Sequence, residues 1–110
     1  MRITVKAIDD VQLCAISGKL DTHTSQEAQD VLTGLINDGA SKVVIDLTEL
    51  DYISSIGFRV FLIAAKQLNH DDGVFRIYGI SGNVKEVFDI SGFATVFDIF
   101  DNEAEALADL

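Results

Sequence analysis

The residues Val43, Val44 and Ile45 constrain the fold most, because three consecutive apolar β-branched residues are typical of a strand that is buried on both faces. Segments with apolar residues at helical spacing come before and after this strand. The first segment begins near residue 24, and its apolar face contains Ala28, Val31, Leu32, Leu35 and Ile36. The second extends from about Ser55 to Asn69, and its apolar face contains Phe58, Phe61, Leu62, Ala65 and Leu68. This order predicts crossover connections around a parallel sheet.

The remaining segments complete an α/β pattern. Residues 2–8 alternate apolar and polar side chains, and a second strand-like run follows the Asp9-Asp10 pair, which predicts an N-terminal β-hairpin. A further strand at 74–80, a short helix at 81–91, a short strand near 95–100 and a final helix follow. The pattern predicts a mixed, mainly parallel sheet of four to five strands with about four helices. Because the chain has 110 residues and no internal composition break, we expect residues 1–110 to form a single domain.

Two helix starts contain residues that suit capping. Thr24 and Glu27 have the spacing of a capping box at the start of the first helix. Asn102 is expected to cap the final helix, whose early glutamates suit the positive end of the helix dipole. Gly39 is expected to end the first helix.

The carboxyl ends of the parallel strands are where sheets of this kind bind ligands and carry out chemistry. Three loop segments lie at these ends: GKLDTHT, DLTELDYISSIG and YGISGN. They bring together polar residues and glycines, namely Asp21, Asp46, Asp51, Ser54, Ser55, Gly79, Ser81 and Gly82. The sequence therefore predicts that this edge of the sheet is the functional one.

Charge and composition limit the partners of the protein. A net charge of −10 disfavours direct binding to nucleic acid or to anionic lipid, and it suits a basic protein surface, although solubility alone also explains it. The longest apolar run, VFLIAA, is too short to span a membrane, and the N-terminus has no signal-peptide pattern. The single Cys14, in an apolar strand, fits a reducing compartment. We expect a soluble, cytoplasmic protein.

The sequence does not favour an enzyme. Ser55 has Gly57 two positions after it but Ile53 two positions before it, so it does not match a nucleophile elbow, and no convincing general base accompanies it. His, Cys and Asp residues do not have recognisable metal-ligand spacing. The SSIGF segment lacks the length and the lysine of a phosphate-binding loop. We therefore predict no catalytic residues, no metal and no cofactor.

Two interpretations of Ser55 remain open on the residues alone. It lies at or beside the N-cap of the second helix, and a serine there commonly caps the helix through its side-chain oxygen. The same position tolerates an added phosphate, because free backbone amides and the dipole favour an anion. That phosphate would join the carboxylates of Asp21, Asp46 and Asp51 at this edge. The residues alone do not choose between a structural cap and a modification site.

The chain resembles the STAS domains, and among them the bacterial anti-sigma factor antagonists. The segments GKLDTHTSQEAQDVL, VVIDLTELDYISSIGFRVFLIAAKQL and IYGISGNVKEVFDISGFATVFDIFDNEAEAL are similar to that family's entry to the first helix, its central segment and its last third, in order and at its spacing. The family's serine turn is usually Asp-Ser-Ser/Thr/Ala-Gly, and the serine after the aspartate is phosphorylated. Matching Gly57 to the family glycine implies that Ser55 is the target and that Ser54 replaces the aspartate. Ser54 is the second candidate for phosphorylation.

The resemblance implies a partner switch. Unmodified members bind an anti-sigma factor, often itself a serine kinase, phosphorylation of the serine breaks the complex, and a phosphatase restores it. The implied partner-binding residues are Asp21, Thr24, Asp46, Asp51, Ser54, Ser55, Ile56, Gly57 and Ser81. The alternative is an unswitched STAS scaffold, a subunit of a transporter or of a signalling assembly.

Overall fold

Six strands and four α-helices alternate along the chain in a computed structural model that describes residues 1–110. The first half contains β1 (Arg2–Ile8), β2 (Val11–Leu20), α1 (Ser25–Asn37), β3 (Lys42–Asp46) and β4 (Leu50–Ile53). The second half contains α2 (Ser55–His70), β5 (Val74–Tyr78), α3 (Gly82–Ser91), a 3₁₀ turn (Phe93–Thr95), β6 (Asp98–Phe100) and α4 (Glu103–Leu107). No helix combines the length and apolar character needed to cross a membrane.

The main sheet has the strand order β1-β2-β3-β5-β6. The β1–β2 hairpin is antiparallel, and all other pairings are parallel, so the predicted mixed α/β fold with its N-terminal hairpin is confirmed. The structure adds a sixth strand, β4, that the sequence did not predict. β4 pairs only with β2 and lies off the main order of strands.

The long strand β2 pairs with two strands on the same side. Its first half, Val11–Ala15, pairs with β3, and its last residues, Gly18–Leu20, pair with β4. A register shift between Gly18 and Lys19 separates the β4 pairing into two parts. Because of this arrangement, β2 and β4 end side by side, with Leu20 opposite Ile53.

The pleat of β3 divides the core between the two faces of the sheet. Val43 and Ile45 belong to the main core, to which α1, α2 and α3 contribute buried side chains. Val44 belongs to a smaller cluster on the other face, together with Tyr78 and Ala106 of α4. All three β3 residues have no exposed surface, as expected for a strand buried on both faces.

Phenylalanines fill the main core beneath the start of α2. The ring of Phe58 packs edge-on against Phe88 of α3, with centroids 4.6 Å apart, and stacks on Phe93 at 4.5 Å. Phe58 is 1% exposed. This packing anchors the first turn of α2 against α3, and it therefore holds the serines at the start of α2 in a defined position.

Candidate functional site

Ser54 is the N-cap of α2, and both its backbone and its side chain are engaged. Its extended backbone, with φ −97° and ψ 172°, is the conformation expected of an N-cap. Its N–H donates to the carbonyl oxygen of Leu20 at 2.9 Å, and its hydroxyl oxygen accepts from the N–H of Gly57 at 3.3 Å. Ser54 thus joins the end of β2 to the first turn of α2.

Ser55 is the first helical residue of α2 and is exposed. Its hydroxyl makes no hydrogen bond within the protein, whereas that of Ser54 does. The structure therefore corrects the interpretation of Ser55 as the cap, because the capping oxygen belongs to Ser54. The physical reason is that α2 begins one residue earlier than a Ser55 cap requires, at Ser55 itself, and the Ser54 N–H before it is held by β2.

Gly57 lies where α2 approaches the ends of β2 and β4 most closely. A Cβ atom at this position would lie 2.8 Å from Cγ1 of Ile53, 2.9 Å from Cγ of Leu20 and 3.1 Å from the Leu20 carbonyl oxygen. Such distances are too short for ordinary packing of carbon atoms. A glycine here lets the helix start sit directly against the strand ends.

Asp21 and Thr24 form a closed turn between β2 and α1. The Asp21 carboxylate accepts from the backbone N–H groups of His23 at 2.9 Å and Thr24 at 3.2 Å, and from the Thr24 hydroxyl at 3.3 Å. The single proton of that hydroxyl is shared with the carbonyl oxygen of Lys19, which lies nearer, at 2.8 Å. The predicted capping box is wrong, because the Thr24 side chain bonds backward to the loop and caps no N–H of α1.

These hydrogen bonds change the acidity of Asp21. Partial burial raises the pKa of its carboxyl group, but the hydrogen bonds from His23 and Thr24 favour the ionised form and outweigh that effect. The net result is a pKa below the usual 3.8. The turn therefore contains a permanent negative charge at neutral pH.

The turns that precede α1 and α2 lie side by side. Because Leu20 is opposite Ile53, Asp21 and Ser54 occupy the next positions on two neighbouring parallel strands. The hydrogen bond from the Ser54 N–H to the Leu20 carbonyl oxygen links the two turns. The structure therefore brings the Asp21–Thr24 turn next to the serine turn, as the sequence predicted from strand ends alone.

Asp46 is separated from this site by the sheet. It follows Ile45 in the pleat and so faces the side of Val44, opposite α2. Its carboxylate accepts from the Thr48 N–H at 2.9 Å and from the Thr48 hydroxyl at 2.7 Å. Of the three carboxylates expected around a phosphate on Ser55, Asp46 is thus the one directed to the other face.

The other predicted residues lie on exposed surface. Asp51 is exposed in β4, and Ser81 is the exposed N-cap of α3, with no hydrogen bond from its side chain. Gly79, two residues before Ser81, has φ +83° and packs against Thr48, which explains the glycine in that turn. Ser81 follows β5, which is parallel to β3, so the Ser81 turn lies at the same end of the sheet.

Two apolar side chains within three residues of Ser55 are exposed. Tyr52 is 46% exposed and Ile56 is 41% exposed. We call Tyr52, Ser55 and Ile56 the serine surface. The sequence predicts Ile56 as a site residue but not Tyr52, because residues 50–53 lack the two-residue alternation that would mark an outward-facing strand residue. Exposed aromatic and aliphatic side chains are common features of protein-binding surfaces.

The mixed sheet with its N-terminal hairpin and three helices on one face defines the class as a small α/β domain. The chain belongs to the STAS domain family, whose model matches residues 2–106. It is 34% identical over 108 residues to BtrV of Bordetella bronchiseptica, a protein provisionally named an anti-sigma factor antagonist, and this match covers 98% of the chain and 93% of BtrV.

Solved structures share the fold. One from Thermotoga maritima, also provisionally described as an anti-sigma factor antagonist, superposes with a TM-score of 0.89 at 21% identity and covers 96% of this chain and 91% of its own. The Bacillus cell fate determinant SpoIIAA in its phosphorylated form superposes with a TM-score of 0.75 at 19% identity, covering 94% of both chains. At such identities the likeness concerns the fold alone.

Proposed function

We propose that this protein is an anti-sigma factor antagonist whose binding is gated by phosphorylation of Ser55. The unmodified protein binds an anti-sigma factor that is also a serine kinase, and the phosphorylated protein releases it. The kinase transfers the γ-phosphoryl group of ATP to Oγ of Ser55, with loss of the hydroxyl proton and departure of ADP. A phosphatase then hydrolyses the phosphoserine and restores binding.

One observation carries the proposal: the Ser55 hydroxyl is exposed and unbonded, whereas the Ser54 hydroxyl caps the helix. A kinase can reach the Ser55 oxygen without breaking a hydrogen bond of the fold. Phosphorylation of Ser54 would instead modify the oxygen that accepts the hydrogen bond from the Gly57 N–H, and it would disturb that bond. This difference supports Ser55 over Ser54 as the target.

The fold accommodates a phosphate at Ser55 at little cost. Negative charge in the first turn of a helix is favourable by about 0.3–1 kcal/mol. The side chain lies on the surface, so no buried contact is lost. The effect of phosphorylation then falls on the partner, for which an unmatched buried charge costs about 2–5 kcal/mol, or some tens to thousands of times in affinity.

The partner surface in this proposal comprises the serine surface and the adjoining turns. We include Asp21, Thr24, Asp51, Ser54, Gly57 and Ser81 from the adjoining turns, whereas Asp46, which was expected to take part, is directed to the opposite face of the sheet. The net charge of −10 favours a basic surface on the partner and disfavours direct contact with nucleic acid or insertion into a membrane. In this proposal residues 1–110 act as one non-enzymatic STAS domain in the bacterial cytoplasm.

The names of relatives support the same function. BtrV is provisionally named an anti-sigma factor antagonist, and the SpoIIAA structure is of a phosphorylated form. The competing hypothesis is an unswitched STAS scaffold in a transporter or signalling assembly. It differs from the switch in predicting partner binding that does not depend on the charge at Ser55.

Co-purification from the native host separates the two hypotheses. Tagged wild-type protein, Ser55→Ala and Ser55→Asp are used as baits, and the captured anti-sigma factor is measured by quantitative mass spectrometry. We expect wild type and Ser55→Ala to capture it, and Ser55→Asp to lose it by at least about tenfold. After incubation of the complex with ATP, phosphopeptide mapping should place the phosphate on Ser55.

Ser41→Asp is the matched control. Ser41 is exposed just before β3, at the opposite end of the sheet, so this variant adds the same charge away from the serine surface. It should bind as the wild type does. Equal capture by Ser55→Ala, Ser55→Asp and wild type, with no phosphoserine after incubation with ATP, would reject the switch and favour the scaffold.

A further inference from the structure

Arg59 lies one helical turn after Ser55 on the same side of α2. Residues four apart on a helix are neighbours, with Cβ atoms about 6 Å from one another. Both Ser55 and Arg59 are exposed, and helical side chains lean toward the N-terminus of the helix, so the Arg59 side chain extends in the direction of Ser55. An arginine therefore stands within reach of any group attached to the Ser55 oxygen.

Arg59 is also an unpaired cation in an acidic chain. The protein has eight lysines and arginines against eighteen aspartates and glutamates, yet only two ion pairs form, Lys42 with Asp10 and Lys85 with Asp89. Arg76 bonds to carbonyl oxygens. Arg59 has no hydrogen-bond or ion-pair partner, although most charged residues of the chain are acidic.

We infer that Arg59 is a positioning residue for the phosphorylated state, in which its guanidinium forms an ion pair with the phosphate of phosphoserine 55. The inference rests on the proposed modification of Ser55. An anionic residue four positions before a cationic one is the favourable order for such a pair on a helix. The planar guanidinium also matches phosphate oxygens with two parallel hydrogen bonds.

Pairing has two consequences for the switch. The cation favours the dianionic phosphate, whose second pKa is ordinarily about 6, so the group carries its full charge at neutral pH. The phosphate also withdraws Arg59 from the surface next to Ile56. In the unmodified protein a partner contacts a free guanidinium. After phosphorylation it contacts a phosphate and a guanidinium whose charge that phosphate neutralises.

The test measures the second pKa of the phosphate by ³¹P NMR in protein made with phosphoserine genetically encoded at position 55. Neither a kinase nor a partner is needed. We expect the phosphate pKa to be higher in Arg59→Gln than in wild type by about 0.2–0.7 pH units, the change that corresponds to losing an exposed ion pair. Arg59→Lys, which keeps the charge, should restore most of the difference.

Lys66→Gln is the matched control for net charge. Lys66 is exposed on the same helix, eleven residues after Ser55 and therefore about 16 Å along the axis. It should leave the phosphate pKa near that of wild type. An unchanged pKa in Arg59→Gln, or an equal rise in Lys66→Gln, would overturn the ion pair.

The result is independent of the proposed function. Failure of cells to phosphorylate Ser55 would reject the switch, whereas the pKa of encoded phosphoserine 55 would still report whether Arg59 pairs with it. Conversely, a switch that works in the co-purification experiment with no pKa difference between wild type and Arg59→Gln would leave the switch standing and reject the role of Arg59.

Discussion

The hydroxyl oxygen of Ser54 accepts a hydrogen bond from the backbone N–H of Gly57 at 3.3 Å, and this bond gives two adjacent serines different structural roles. Ser54 holds the start of α2, whereas the neighbouring Ser55 hydroxyl makes no bond within the protein. The division of roles leads to a direct test of stability.

Ser54→Ala should lower the free energy of unfolding by about 1 kcal/mol, because it removes an N-cap acceptor. Ser55→Ala removes only an exposed, unbonded hydroxyl and should change that free energy by less than about 0.5 kcal/mol. Urea unfolding followed by circular dichroism measures both. A larger loss in Ser55→Ala than in Ser54→Ala would contradict the assignment of the cap.

Gly57→Ala should destabilise the protein by about 1–3 kcal/mol, because the new methyl group would overlap Ile53 and Leu20. The gain in helix propensity, about 1 kcal/mol, offsets only part of this. Gly34→Ala is the control, since Gly34 lies in α1 and a Cβ there meets no atom within 4 Å. It should stabilise by about 0.5–1 kcal/mol. Opposite signs for the two variants in denaturant titrations are the expected result, and equal signs would refute the close approach of α2.

Asp21 should titrate below the usual 3.8, because its carboxylate accepts hydrogen bonds that its protonated form loses. A carboxyl group whose pKa is lower in the folded than in the unfolded protein contributes stability above pH 3.8 and loses it as the pH falls through the folded value. Thr24→Val removes the hydroxyl donor and should raise the pKa of Asp21 toward 3.8. The ¹³C chemical shift of the Asp21 carboxyl group reports this titration.

Thr22→Val is the control for that titration. Thr22 lies in the same turn and its hydroxyl makes no hydrogen bond to Asp21, so the pKa of Asp21 should stay as in wild type. A rise of equal size in both variants would show that the pKa depends on general disturbance of the loop.

Arg76 should hold the C-terminal segment in place. Its guanidinium donates to the carbonyl oxygens of Ala106 at 3.1 Å and Ala108 at 2.8 Å, and it lies 5.1 Å from the centre of the Phe100 ring. Arg76→Lys keeps the charge but loses the planar fork, so it should cost about 1–3 kcal/mol and speed amide hydrogen exchange at Ala106.

Lys85→Gln is the comparison for Arg76. It breaks the exposed pair with Asp89, at 3.1 Å, and should cost less than about 0.5 kcal/mol. Its effect should not reach α4. Unchanged exchange at Ala106 in Arg76→Lys would show that the apolar contacts of α4 suffice to hold the segment.

Most elements of the fold follow from local pattern, and one does not. The predicted helix from about Ser55 to Asn69 ends one residue later, at His70, because its apolar spacing continues without a break to Leu68. Asn102 caps α4 as predicted, with its side-chain oxygen accepting from Glu105 N–H at 2.9 Å. The strand β4 was missed because its buried residues, Leu50 and Ile53, are three positions apart and so lack the two-residue period of a strand.

The positions of the site residues were likewise predicted only in part from the sequence. The order of strands predicted that the Asp21 turn and the serine turn share an edge, since the carboxyl ends of parallel strands must meet there. The sequence did not predict that Asp46 faces the other side of the sheet. Successive residues of β3 point to opposite faces of the sheet, so the face of Asp46 depends on its position in the strand. Because β3 is buried on both faces, its residues do not alternate between apolar and polar, and the sequence does not show which face each side chain takes.

The sequence by itself determined the alternation of strands and helices, the doubly buried strand and the edge at which polar residues gather, because hydrophobic period and strand polarity are properties of the chain. Only the tertiary structure decided which serine caps α2. The choice depends on where the end of β2 holds the chain: the Leu20 carbonyl binds the Ser54 N–H, so α2 starts at Ser55 and leaves its hydroxyl free. Two neighbouring residues of the same type cannot be distinguished by local pattern, but one long-range hydrogen bond separates them.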